Sequence, residues 1–87
     1  MTLNFPNENR SYDAKRNLIR FWGYDSAMEI QFLIEVGAIF KLNPRASDEE
    51  TGYLYAFDGA RDRIYRAARR AYSRAHKGAY LLVAADF

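Results

Sequence analysis

Between Arg61 and Lys77 this chain carries seven cations (Arg61, Arg63, Arg66, Arg69, Arg70, Arg74 and Lys77) against one carboxylate, Asp62. Guanidinium groups are planar, permanently charged and forked, so a fixed row of them is a surface for anions. Five of the seven, Arg63, Arg66, Arg70, Arg74 and Lys77, follow one another at steps of 3, 4, 4 and 3 residues. On a helix those steps make one stripe between about 200° and 280° from Ile64, ~21 Å long, on the flank of the apolar face. Such a stripe could meet phosphates along a nucleic-acid strand or across a groove. The simpler reading is that these residues decorate the solvent face and C-terminal end of a helix, where the dipole favours cations. Asp58, Asp62, Arg66 and Arg70 also lie four apart in succession, so an internal ladder would use part of the charge. Arginine stems can in addition cover apolar surface. No helix-turn-helix pattern precedes the stripe, and the simpler reading is favoured.

Other chemistry is sparse. His76 is the only histidine, and it falls in the last helical turn, where a cation or a carbonyl-capping donor is favourable without catalysis. Asp58 with Asp62 and Glu49 with Glu50 are explained by ion pairing and capping, so no catalytic residue is assigned. The five glycines are isolated, which excludes a glycine-rich phosphate loop. With one His and no Cys there is no zinc-type ligand set, and no carboxylate loop patterned for calcium, so neither metal nor cofactor is expected. Tyr65 and Tyr72 lie on one helix flank, with Tyr53, Tyr55 and Tyr80 as candidate neighbours. They could stack bases beside arginines, but an amphipathic core-edge role is the favoured one. Trp22 is a candidate dimer contact.

The elements that must carry these residues follow from periodicity. Thr2–Phe5 is a short strand closed by Pro6, and Asn7–Ser11 is polar and turn-like. Asn17–Trp22 alternates, Gly23–Ser26 forms a turn cluster, and Met28, Ile30, Phe32 and Ile34 then share one face opposite Glu29, Gln31 and Glu35. Two period-2 runs joined by turn residues predict an antiparallel hairpin with one wet face. Val36–Leu42 either continues the strand or forms a short helix, the latter being favoured, and Pro44 ends it. Ser47 to Glu50 reads as a capping box. From there a helix is predicted to about Lys77, with Gly78 beyond its end. Tyr53, Phe57, Ala60, Ile64, Ala67, Ala68, Ala71 and Ala75 form its apolar stripe, small enough to lie close on a sheet. Gly52 and Gly59 weaken its first half, where a break or kink is expected. Ala79–Ala85 is apolar on both faces, which suits a strand with neighbours on either side.

The 87 residues suffice for one thin core and one domain spanning 1–87. Hydrophobic residues make up 49% and charged residues 28%, a balance that argues against disorder. The absence of cysteine excludes a disulfide framework and suits a reducing compartment. No run approaches the ~20 apolar residues of a membrane span, and the N-terminus lacks a secretory pattern. Acidic and basic residues balance at five each before Pro44, with eight basic and six acidic after it. Anion attraction must therefore be local.

The opening Leu3-Asn4-Phe5-Pro6, the run Ile19-Arg20-Phe21-Trp22-Gly23, the segment Ala56–Ile64 and the ending Lys77–Phe87 together resemble domain-of-unknown-function family 1488, small proteins of proteobacteria. The resemblance spans nearly the whole chain and carries no recognised chemistry. It implies a bacterial cytosolic α+β domain and transfers no functional residue.

The expectation is thus a two-layer α+β domain: a small antiparallel sheet, made of the N-terminal hairpin and the C-terminal strand, covered on one face by a short and a long helix. The leading functional reading is a non-enzymatic cytoplasmic domain acting through a protein surface, as a homodimer or an accessory to another protein. The alternative is nucleic-acid binding through Arg63, Arg66, Arg70, Arg74 and Lys77.

Overall fold

The structure, a computed structural model, describes residues 3–74 and 79–87. Strands β1 (Leu3–Asn4), β2 (Arg10–Asp13), β3 (Leu18–Asp25) and β4 (Met28–Glu35) lead into helices α1 (Val36–Leu42), α2 (Glu50–Gly59) and α3 (Arg61–Arg74). Strand β5 (Ala79–Leu82) and a 3-10 turn, Ala84–Asp86, follow. The hairpin is β3 against β4, paired from Leu18↔Glu35 to Asp25↔Met28. The tight turn is Ser26-Ala27, with Ser26 at φ 57°. Gly23 therefore lies within β3, where sequence had suggested a turn. It serves close packing: a Cβ there would stand 2.9 Å from the Phe5 ring and 3.1 Å from the Asn4 carbonyl oxygen.

The alternation sorts the sheet's two faces. Ile19 and Phe21 of β3, Ile30, Phe32 and Ile34 of β4, and Tyr80 and Leu82 of β5 are buried under the helices. From the helix side come Val36, Ala38 and Ile39, then Tyr53, Ala56 and Phe57, then Ile64, Ala67, Ala68 and Tyr72. Aromatic rings knit the layers: Phe21 lies 5.3 Å from Phe32 and 5.2 Å from Phe57, and Phe32 lies 5.2 Å from Tyr80. The α+β class and the helix-covered face agree with the sequence reading.

Several expectations are corrected. The sheet is mixed, because β5 pairs with β4 in parallel; a crossover through helices returns a strand parallel to its predecessor, which the composition of β5 does not encode. β5 is also an edge strand, with β4 as its one neighbour among the described residues, and it ends at Leu82. The helix predicted as one to about Lys77 is two, and the break expected in its first half falls after Gly59, where Ala60 leaves helical geometry (φ −115°, ψ 15°) and its N–H reaches the Phe57 carbonyl. The capping box does not form: α2 is N-capped by Glu49 without a side-chain bond. Ser47 packs against the flat face of Gly52, where any Cβ would collide with the Ser47 carbonyl. The turn-like segment, finally, contains β2, a polar edge strand that pairs from Arg10↔Phe21 to Asp13↔Leu18. The predicted helix end at Lys77–Gly78 lies outside the described residues.

Candidate functional site

Helix α3 starts where Ala60 restarts the hydrogen-bond ladder, its carbonyl accepting the Ile64 N–H. Ile64, Ala67 and Ala68 then face the sheet, and this orientation divides the arginines between two flanks. On one flank Arg61 donates to the Asp58 carboxylate (2.7 Å), the Tyr65 hydroxyl (2.5 Å) and the Glu8 carbonyl (3.0 Å), and lies over the Phe57 ring. On the same flank Arg69 donates to the Leu3 carbonyl (3.3 Å) and lies 5.3 Å from the centre of the Phe5 ring. These two bolt the N-terminal segment to the helix layer.

On the other flank Arg63, Arg66, Arg70 and Arg74 are exposed. Among the described residues Arg63, Arg66 and Arg74 have no ion pair or hydrogen bond, and Arg70 donates only to the Asp86 carbonyl (3.1 Å). The ladder expected of Asp58, Asp62, Arg66 and Arg70 does not form. Asp58 is instead held by Arg10, through two 3.0 Å bonds, and by Arg61. Burial alone would raise its pKa, but the hydrogen bonds from Arg10 and Arg61 outweigh it and hold the carboxyl below its ordinary range. Of the stripe read from sequence, the structure places Arg63, Arg66, Arg70 and Arg74 together on one open flank; Lys77 and His76 lie outside the described residues.

Tyr65, Tyr72 and Tyr53 are anchored. Tyr65 stacks on Phe5 with ring centres 4.0 Å apart. Tyr72 is buried and donates to Asp25 (2.5 Å), which pushes its pKa up to about 12. Tyr53 donates to Asp48 and is likewise pushed up to about 12. Tyr55, 77% exposed, stands in the wall of an open hollow of about 500 Å³ shared with Leu42, Asn43 and Asp58.

The second open region is the outer face of the sheet, away from the helices. Across it the pairing sets Arg20 beside Leu33 and Leu33 beside Leu81, and in the next row Trp22 beside Gln31 and Gln31 beside Ala79. Leu81 is 51% exposed, and Trp22 and Leu33 are half-buried. Around this apolar centre lie polar pairs, Arg20 on Asp13 (2.6 Å) and Tyr24 on Glu29 (3.0 Å), with exposed Glu35 beyond. Sequence reasoning named Trp22 but missed Leu33 and Leu81. The available signal was a leucine within the otherwise polar set Glu29, Gln31 and Glu35.

A five-stranded mixed sheet with helices on one face defines an α+β protein. A family described as "Protein of unknown function (DUF1488)" matches residues 3–82, and the chain belongs to that family. The fold is similar to the crystal structure of a protein of unknown function from the same family from Shewanella loihica PV-4. That similarity has a TM-score of 0.81 at 18% identity, over 92% of this chain and 90% of the other. No curated protein matches the chain.

Proposed function

We propose that this protein is a non-enzymatic cytoplasmic interaction module that pairs through its open sheet face with a second copy of itself. The observation that carries this reading is that Trp22, Leu33 and Leu81 share the sheet face that no helix covers among the described residues, with Leu33 paired to Leu81 and Trp22 in the neighbouring row. An apolar centre inside a polar rim is the anatomy of a protein interface. A two-fold contact needs a surface complementary to itself, and a patch that is apolar at its centre with both charge signs on its rim meets that need. Two such sheets would pack face to face about 10 Å apart. Completing the burial of each leucine is worth about 1 kcal/mol per copy.

Sedimentation velocity over a hundredfold concentration range, up to about 100 µM, tests this reading. The emission of Trp22, the one tryptophan in the chain, is followed in parallel. The expected result is a monomer–dimer transition with a blue shift of that emission. Leu81→Glu should abolish both while leaving the circular dichroism spectrum intact. A wild-type monomer at the highest concentration with unshifted emission would sink the reading.

A further inference from the structure

We propose that the flank of α3 carrying Arg63, Arg66, Arg70 and Arg74 seats successive phosphates of a nucleic-acid strand. The inference rests on the helix layer alone and holds whether the sheet face is paired or free.

A cleft runs between this flank and the C-terminal 3-10 turn, and it contains two hollows. One, of about 200 Å³, is bounded by Arg63, Arg66 and Arg70 with Asp86 and Phe87 opposite. The other, of about 140 Å³, is bounded by Arg70 and Arg74, again with Asp86 opposite, over a floor that includes Ala67 and Ala71. Arg70 is the wall they share. Both are smaller than the ~300 Å³ at which ligand pockets for small molecules begin, and their chemistry suits single anions in a line. Arg66, Arg70 and Arg74 follow one another at about 6 Å of helix rise, and the whole row spans about 16 Å.

The row is prepared for an external anion. Three of its four guanidiniums have no partner among the described residues. The fourth, Arg70, donates from one nitrogen to the Asp86 carbonyl, and its other donors have no partner among the described residues. The Asp86 carboxylate itself is engaged in accepting the Val83 N–H at 2.7 Å. Its charge still tempers both hollows, which gives the proposal a signature: neutralising Asp86 should strengthen binding. A nucleic-acid strand is favoured over an acidic peptide because the seats repeat in line and Phe87, half-buried against the core, lines the hollow at the Arg63 end. Charged groove plus aromatic ring is the recurring arrangement of strand-binding surfaces.

The test is fluorescence anisotropy with a labelled single strand of about 20 nucleotides and the matching duplex, at about 50 and 200 mM salt. Neutralising four phosphates on a single strand gives a log–log salt slope of about −3, hence a roughly 50-fold loss of affinity between those salts. Arg66→Glu/Arg70→Glu should weaken binding at least tenfold at the lower salt, and Asp86→Asn should tighten it several-fold. The tighter of strand and duplex identifies the source of the phosphates. Should the double reversal fail to fold by circular dichroism, Arg63→Ala/Arg74→Ala removes two cations that make no internal bonds and carries the same expectation. Three results would each overturn the proposal: no binding of either nucleic acid at the lower salt, wild-type binding by a folded arginine variant, or equal competition by polyglutamate of matched charge.

Discussion

The two flanks of α3 carry the same residue type and put it to opposite uses. Arg61 and Arg69 are bonded to Asp58, Tyr65 and the carbonyls of Glu8 and Leu3, and cover the rings of Phe57 and Phe5. Arg63, Arg66 and Arg74 bond to nothing among the described residues. The difference is what lies alongside. One flank abuts the N-terminal segment, whose carbonyls and rings accept a cation; the other borders an open cleft and solvent. Charge count along a helix therefore says little about function until the neighbours of each flank are known.

The contrast can be broken by deleting one arginine from each flank. Arg61→Ala removes three hydrogen bonds and the contacts with the Phe57 and Tyr65 rings, and takes the donor from the Tyr65 hydroxyl. It should cost about 2 kcal/mol in denaturant unfolding. A loss below half of that would mean the bonded flank is no more structural than the open one.

Acid sharpens the same contrast. The pKa of Asp58 is lowered in the folded state, so its contribution is present above the unfolded carboxyl's pKa of about 4 and is lost as pH falls through the lower folded value. Urea midpoints measured from about pH 6 to pH 2 should fall in that window. Asp58→Asn should flatten the acid limb, and an unchanged limb would locate the acid sensitivity elsewhere.

The smallest effect belongs to the open flank. Arg63→Ala and Arg66→Ala should each move stability by less than about 0.5 kcal/mol. A larger loss in thermal melts would show that this flank holds the fold after all, and would remove the grounds for assigning it a ligand.

The hairpin was legible in advance because period-2 alternation survives in the sequence of β3 and β4. Likewise Val36–Leu42, stopped before Pro44, showed as a short helix. Strand β2 was not legible, since Arg10-Ser11-Tyr12-Asp13 earns its place by pairing with β3 rather than by its own pattern. Nor were the roles of Gly23, which answers to Phe5 on another strand, and of Gly52, which answers to the way the chain at Ser47 folds back on the start of α2.

For the candidate site, the local code determined which residues share a helical stripe, because 3.6-residue periodicity is intrinsic to the backbone. It also determined that β5 would be apolar. Only tertiary structure decided that β5 runs parallel at the sheet edge and leaves Leu81 open, that Arg61 and Arg69 are spent on the N-terminal segment, and that Arg63, Arg66, Arg70 and Arg74 border a cleft. Each of those depends on contacts between residues far apart in the chain, and helical or strand periodicity carries no information about them.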